Sequence, residues 1–224
     1  MVDSVNAIHP KIIFVTDPMC SWCWGMADDI QSIRADYAEL VEFDLLLGGI
    51  NPQSTQYVGK YGRQFLLKLW EDIFQTTGKS FGFKLPDMYI HNSFLPCLAI
   101  ESVKEFSVDL AFDFLYQLQK QFFEYGQNVN DLDMLRKQAE NFGLPSDLFD
   151  LAMSKKHLKE QVRFQFQHSK SFGTSVLPSV LFDSGDNCNL LMGGYANKET
   201  IDRALSKLNE RGNYWPESIH VDQK

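Results

Sequence analysis

Long apolar runs are missing from these 224 residues: no stretch approaches the ~20 apolar residues that a bilayer-spanning helix requires. A membrane partner is therefore not expected. Basic charge is scarce as well. Lys+Arg number 21 against Asp+Glu 29, a net charge of −8, and such a surface repels phosphate unless a local basic stripe overrides it. The nearest candidate stripe, Lys155-Lys156-His157-Leu158-Lys159, reads as the solvated face of a helix. Nucleic acid is not an expected partner either. Met1 to Ala7 lacks the basic patch and apolar stretch of a secretory signal, so the expected localisation is cytoplasmic. Internal repeats and low-complexity segments are absent.

Cysteine is sparse. The four present (Cys20, Cys23, Cys97 and Cys188) are fewer than a disulfide-stapled secreted domain of this size would carry. What is plentiful is apolar and aromatic area. A hydrophobic content of 44%, with 18 Phe, 8 Tyr and 4 Trp, excludes a solvated coil. At roughly 150 residues per domain the length allows one or two domains, with a core that needs neither disulfides nor metal.

Two cysteines stand out by spacing, as Cys20-Ser21-Trp22-Cys23. A Cys-x-x-Cys pair is either redox-active or half of a zinc site. A zinc site wants two further soft ligands at short spacing, and neither Cys97, Cys188 nor the scattered histidines supply them. No metal or other cofactor is expected. The flanks favour redox chemistry. Lys11 to Thr16 is a β-branched and aromatic run, the pattern of a buried strand. Asp17-Pro18-Met19 makes a turn, and a helix is expected from Ser21 to Leu40, with Ile30, Ile33, Tyr37 and Leu40 at helical spacing. Cys20 then sits where unpaired amides and the helix dipole favour a thiolate, which makes it a nucleophile. Cys23, one turn on, is placed to close an intramolecular disulfide.

Further along, Glu42 to Leu47 reads as a second strand, so the start of the chain is a βαβ unit with a parallel pair. Helices are expected near 58–76, 94–106, 108–125, 131–142 and 146–171, the last broken or bent. Ser93 or Asn92 serves as a cap before Pro96, Asp131 opens a helix that Gly143 closes, and Ser146 opens the next. Strands return at 178–183 and 189–192 as a hairpin around Ser184-Gly185-Asp186-Asn187, which leaves Cys188 an exposed bystander. A last helix covers 198–209, and the tail from Arg211 wraps the surface. The fold class is α/β. The terminal strand blocks pair into one sheet, and the helical block between them is an insertion, giving two small cores with a cleft between.

This order, with three local motifs, resembles the DsbA-like branch of the thioredoxin superfamily. Asp17 to Gly25 is similar to the cytosolic, FrnE-type members, which favour an aromatic residue before the second cysteine. Gly173-Thr174-Ser175-Val176-Leu177-Pro178-Ser179 resembles the family's cis-proline loop, and Asn92 to Cys97 the start of an inserted-domain helix. The resemblance implies a thioredoxin fold formed by residues 1–54 and 172–224, with an all-helical domain inserted at 55–171. It implies that Leu177 and Pro178 lie against the Cys20 sulfur and pair with an extended substrate; otherwise Pro178 simply begins an edge strand. Ser21 and Trp22 are further candidates for substrate binding, and Trp24 for packing. The Ser21-Trp22 dipeptide lacks the histidine of strongly oxidising members, so a less oxidising pair is expected.

Cys97 is either a third redox-relevant thiol or a half-buried helix residue. Asp17 is either a proton acceptor for Cys23 or a turn residue. The expected activity is thiol–disulfide exchange on protein or peptide thiols and disulfides, with Cys20 and Cys23 catalytic and glutathione or a thioredoxin-type protein as redox partner. The alternatives are a glutathione-dependent isomerase or transferase of the same fold, disfavoured by the intact cysteine pair, and a peptide-binding, chaperone-like module.

Overall fold

The computed structural model describes residues 10–172 and 176–216. Gly173, Thr174 and Ser175 of the loop motif, and the last residues of the tail, lie outside the described residues.

β1 (Lys11–Thr16) and β2 (Glu42–Leu47) pair in parallel from Lys11↔Glu42 to Thr16↔Leu47. Between them run α1 (Ser21–Gly25) and α2 (Ala27–Asp36). The single helix expected from Ser21 to Leu40 is thus corrected to two shorter ones. The break falls at Met26, just after Gly25, whose missing side chain leaves room for Ile73; a Cβ there would lie 2.9 Å from it. Glycine weakens a helix interior, and here it buys close packing.

Six helices follow: α3 (Lys60–Thr77), α4 (Phe94–Lys104), α5 (Val108–Phe123), α6 (Leu132–Asn141), α7 (Ser146–Ser154) and α8 (Lys156–His168). The expected break in the last segment lies at Lys155, which is extended at ψ 124. Asp131 caps α6 through Asp133 N–H and Met134 N–H, and Gly143 takes the left-handed φ of +78° that ends it. Ser146 is not a cap, however. The N-cap position falls to Pro145, and the Ser146 hydroxyl bonds Glu140 instead.

β3 (Ser179–Asp183) then runs antiparallel to β1, and β4 (Cys188–Gly193) antiparallel to β3, giving the sheet order β2-β1-β3-β4. The two central strands are the most deeply buried, which is why β1 and β3 read as near-continuous apolar runs. Cys188 is not in the turn; it is the half-buried first residue of β4, opposite Asp183. α9 (Lys198–Gly212) outlasts its expected end. Asn209 lies within it and clips the chain beyond, donating to the Trp215 carbonyl at 2.8 Å and accepting from Trp215 N–H at 2.9 Å.

This is the thioredoxin fold with a helical insertion that the motifs implied. One expectation changes. The buried apolar side chains of the sheet and of the inserted helices form a single contiguous cluster rather than two cores. The seam is aromatic: Trp24 of α1 stacks on Phe123 of α5 at 6.0 Å, and Phe14 of β1 meets Phe112 of α5 edge-on at 6.1 Å. Such pairs add about 0.5–1.5 kcal/mol each beyond their buried area.

Candidate active site

β1 ends at Thr16, and the chain turns through Asp17-Pro18-Met19 to deliver Cys20 to the N-cap of α1. Cys20 N–H donates to the Asp17 carbonyl at 3.3 Å and Met19 N–H to Asp17 Oδ1 at 2.8 Å, bonding that suits aspartate to a turn. Cys20 Sγ accepts from Cys23 N–H at 3.4 Å, standing where an oxygen usually caps a helix. Cys20 retains 8% exposure and Cys23 none. Burial, and then the adjacent Cys20 sulfur, push the Cys23 thiol well above its ordinary value. The neighbouring Thr16 hydroxyl draws it the other way.

From the far end of the chain comes the loop before β3. Its Leu177–Pro178 bond is cis. The Leu177 carbonyl accepts from Cys20 Sγ at 3.9 Å. Pro178 therefore leads into a central strand, not an edge strand. A family model described as thioredoxin matches residues 13–203. The chain belongs to the thioredoxin family.

Several solved structures align over nearly the whole length. A structure of a candidate protein disulfide isomerase from Nitrosomonas europaea superposes with a TM-score of 0.84 at 27% identity, over 91% of this chain and 98% of that one. The cytosolic disulfide reductase DsbM from Pseudomonas aeruginosa, also solved with GSH, superposes with a TM-score of 0.74 at 19% identity, over 92% and 100%. In sequence, the ClpXP adapter protein SpxH of Halalkalibacterium halodurans is 25% identical over 177 residues, 77% of this chain. SpxH of Shouchella clausii is 22% identical over 200 residues, 86% of this chain. The chain spans 58% and 65% of the length of these two relatives.

Behind the thioredoxin cysteine pair lies a buried carboxylate. Asp17 Oδ2 accepts from Ser93 Oγ at 2.5 Å, Ile50 N–H at 2.9 Å and Cys97 Sγ at 3.7 Å. No cation pairs with it among the described residues. Burial therefore raises the Asp17 carboxyl above its ordinary value, although these donors and Met19 N–H pull it back. The turn expectation for Asp17 holds: one oxygen takes the Met19 N–H, while the other faces Ser93 and Cys97 at the start of α4. Cys97 is corrected from half-buried to fully buried, and burial next to the Asp17 charge holds its thiol well above its ordinary value. As for the α4 cap, Asn92 Oδ1 takes the Phe94 N–H at 2.9 Å, which frees Ser93 for Asp17.

Two clefts meet at Cys20. The smaller, about 330 Å³, is lined by Gly48, Gly49, Ile50, Lys170, Val176 and Leu177. Gly49 is required there: φ is +76°, and a Cβ would meet the Phe166 ring at 2.5 Å. The larger, about 530 Å³, runs from Trp22 past Tyr57, Phe65, Leu69 and His91, with no Asp, Glu, Lys or Arg among the described residues of its walls. Trp22 is half-buried and packs on Tyr195 at 5.8 Å. Ser21 also lines this cleft, but its buried hydroxyl accepts from Trp70 Nε1 at 3.0 Å. Trp24 packs inward as expected, donating from Nε1 to the Ser80 carbonyl at 2.8 Å.

Sequence reasoning missed His91, Trp70 and Tyr195. His91 Nε2–H donates to the Met19 carbonyl at 3.2 Å, and burial lowers its pKa. The only signal for it was its position beside the Asn92-Ser93 motif. Nothing local marks Trp70 or Tyr195. Among the described residues no cluster of three or more His, Cys, Asp or Glu side chains is arranged for a metal ion, and no helix is long and apolar enough to cross a membrane.

Proposed function

We propose that this chain is a cytoplasmic thiol–disulfide oxidoreductase acting on protein or peptide disulfides. The observation that carries the reading is the Cys20 sulfur, held between the Cys23 amide and the Leu177 carbonyl. In the reductive direction, the Cys20 thiolate attacks a substrate disulfide, one substrate sulfur leaves as a thiol, and a mixed disulfide remains. Cys23 gives its proton to Asp17 and attacks Cys20 Sγ. The second substrate thiol departs, and the chain is left with a Cys20–Cys23 disulfide. The substrate disulfide has gained two electrons, and the protein has lost two. Glutathione or a thioredoxin-type protein then restores the dithiol, and the reverse sequence donates a disulfide.

In this reading an extended substrate segment pairs with the backbone at Leu177 and rests on Pro178, with Trp22 and Ser21 in the wall of the wider cleft. The cis-proline loop belongs with residues 1–54 and 172–224 as the thioredoxin-like unit; residues 55–171 form the inserted helical unit.

Insulin reduction by the Cys20→Ser variant tests the reading. Loss of turnover supports it, and undiminished turnover sinks it. A second reading, a binding module, is favoured by the adapter role named for the SpxH relatives and by the uncharged walls of the wider cleft. It expects peptide binding to survive Cys20→Ser with no catalytic activity to lose.

A further inference from the structure

The Ser93 hydroxyl sits among groups that satisfy it in two ways. Its oxygen accepts from Ile50 N–H at 2.7 Å. Its hydrogen has two acceptors in reach, Asp17 Oδ2 at 2.5 Å and the Ile50 carbonyl at 3.3 Å. Ser93, Asp17 and Cys97 are all fully buried. A hydroxyl carries one donor and two acceptor sites. A carboxylate only accepts, whereas a carboxylic acid also donates. A buried carboxylate that takes up a proton therefore needs a neighbour able to change from donor to acceptor, because an unpaired buried donor or acceptor is costly.

The geometry points to Ser93 as the proton-coupled partner of Asp17, a positioning residue that the inserted helical block contributes to thiol–disulfide exchange. When Asp17 is ionised, the Ser93 hydroxyl donates to Oδ2. When Asp17 holds the proton released by Cys23, its O–H donates to Ser93 Oγ, and the serine hydrogen turns to the Ile50 carbonyl. Ile50 N–H keeps its acceptor in both states. Cys97 is a weaker third donor to the same oxygen, and it stays protonated through the cycle. The proton passes from Cys23 Sγ to Asp17 and then to the departing substrate thiolate or to water, so no other reactant is needed.

The other titratable groups facing Asp17 do not replace this partner. From α1 comes Cys23, whose charge couples to Asp17. From α4 come Cys97 and, one turn on, Glu101, which is held by Gln161 and Gln165. His91 bonds the Met19 carbonyl, and from α5 Gln119 Nε2 donates to the Asp17 backbone carbonyl at 3.3 Å.

The inference rests on the oxidoreductase reading, and one experiment separates the two. The reduced full-length chain is mixed with an asymmetric peptide disulfide, and the two peptide thiols are followed by quench mass spectrometry from acid to mildly alkaline pH. Release of the first reports attack by Cys20, and release of the second reports resolution by Cys23. Ser93→Ala is expected to shift the pH midpoint of the second step up by roughly one unit, the size of one lost charge-assisted hydrogen bond. Ser93→Thr restores it, Cys97→Ala shifts it less, and Asp17→Asn removes it. If Ser93→Ala does not fold, Ser93→Cys gives the same comparison with a weaker donor and an intermediate upward shift. A midpoint unchanged in the serine variant, or a folded Ser93→Thr that behaves as Ser93→Ala, overturns the inference. Failure of every form to release the first thiol overturns the oxidoreductase reading instead, and this inference with it.

Discussion

The Leu177 carbonyl oxygen lies 3.9 Å from the Cys20 sulfur, although 157 positions separate them in the chain. The Cys23 amide donates to the same sulfur at 3.4 Å. Backbone from both ends of the chain thus meets the Cys20 sulfur.

Removal of the resolving thiol should strand the reaction at the mixed disulfide. Cys23→Ser, treated with a peptide disulfide, is expected to gain the mass of one peptide half at Cys20. The double variant with Cys20→Ser should gain none at Cys97, which is fully buried and hydrogen-bonded to Asp17; replacing the half-buried Cys188 by Ser throughout removes the one remaining partly exposed thiol among the described residues. Intact-mass measurement followed by peptide mapping reads this. An adduct on Cys97 instead would contradict the assignment of Cys20 as the nucleophile.

Asp17 makes stability depend on pH in a definite direction. Its carboxyl is raised above 3.8 by burial in the folded chain and returns to about 3.9 when unfolded. The neutral form is therefore favoured by folding. That contribution is fully present below the unfolded value and is lost as pH rises through the folded one. Wild type should lose stability relative to Asp17→Asn over that window and no more above it. Urea midpoints of both proteins, taken from pH 3.5 to 8, check the sign; parallel curves would contradict it.

A second buried carboxylate ties the inserted helices to the sheet. Glu101 of α4 accepts from Gln165 Nε2 at 2.9 Å and Gln161 Nε2 at 2.6 Å, while Gln165 Oε1 accepts from Leu47 N–H of β2 at 2.9 Å. Gln165→Met would leave both Leu47 N–H and one Glu101 oxygen unpaired, at a cost of about 2–4 kcal/mol. Gln161→Met, at an exposed position, removes one donor and should cost about 1 kcal/mol. Denaturant unfolding separates the two, and equal losses would mean that Gln165 does not bridge the units.

The elements were open to sequence reasoning wherever local periodicity and caps decide them. β1, β2, β3 and the starts of α4, α5, α6 and α9 fall where apolar spacing, Asp131 and Pro96 put them. Nothing local signalled the break at Met26, and the close approach of Ile73 to Gly25 comes from another helix. Ser93 or Asn92 reads as a helix cap from sequence; in the fold Asn92 takes the Phe94 N–H and the Ser93 hydroxyl turns to Asp17.

By itself, then, the sequence determined a Cys-x-x-Cys pair at a strand–helix junction, a helical block between two strand blocks and a proline loop matched to both. Those are properties of neighbouring residues, set by backbone propensity and the spacing of apolar side chains. Tertiary structure alone decided that Leu177 meets Cys20, that the two blocks share one core, and that Asp17 lies buried with Ser93 and Cys97 as donors and, among the described residues, no cation beside it. The physical reason is burial. A carboxyl or thiol changes its proton affinity through the water it loses and the dipoles it meets, and both come from chain segments that no local pattern brings together.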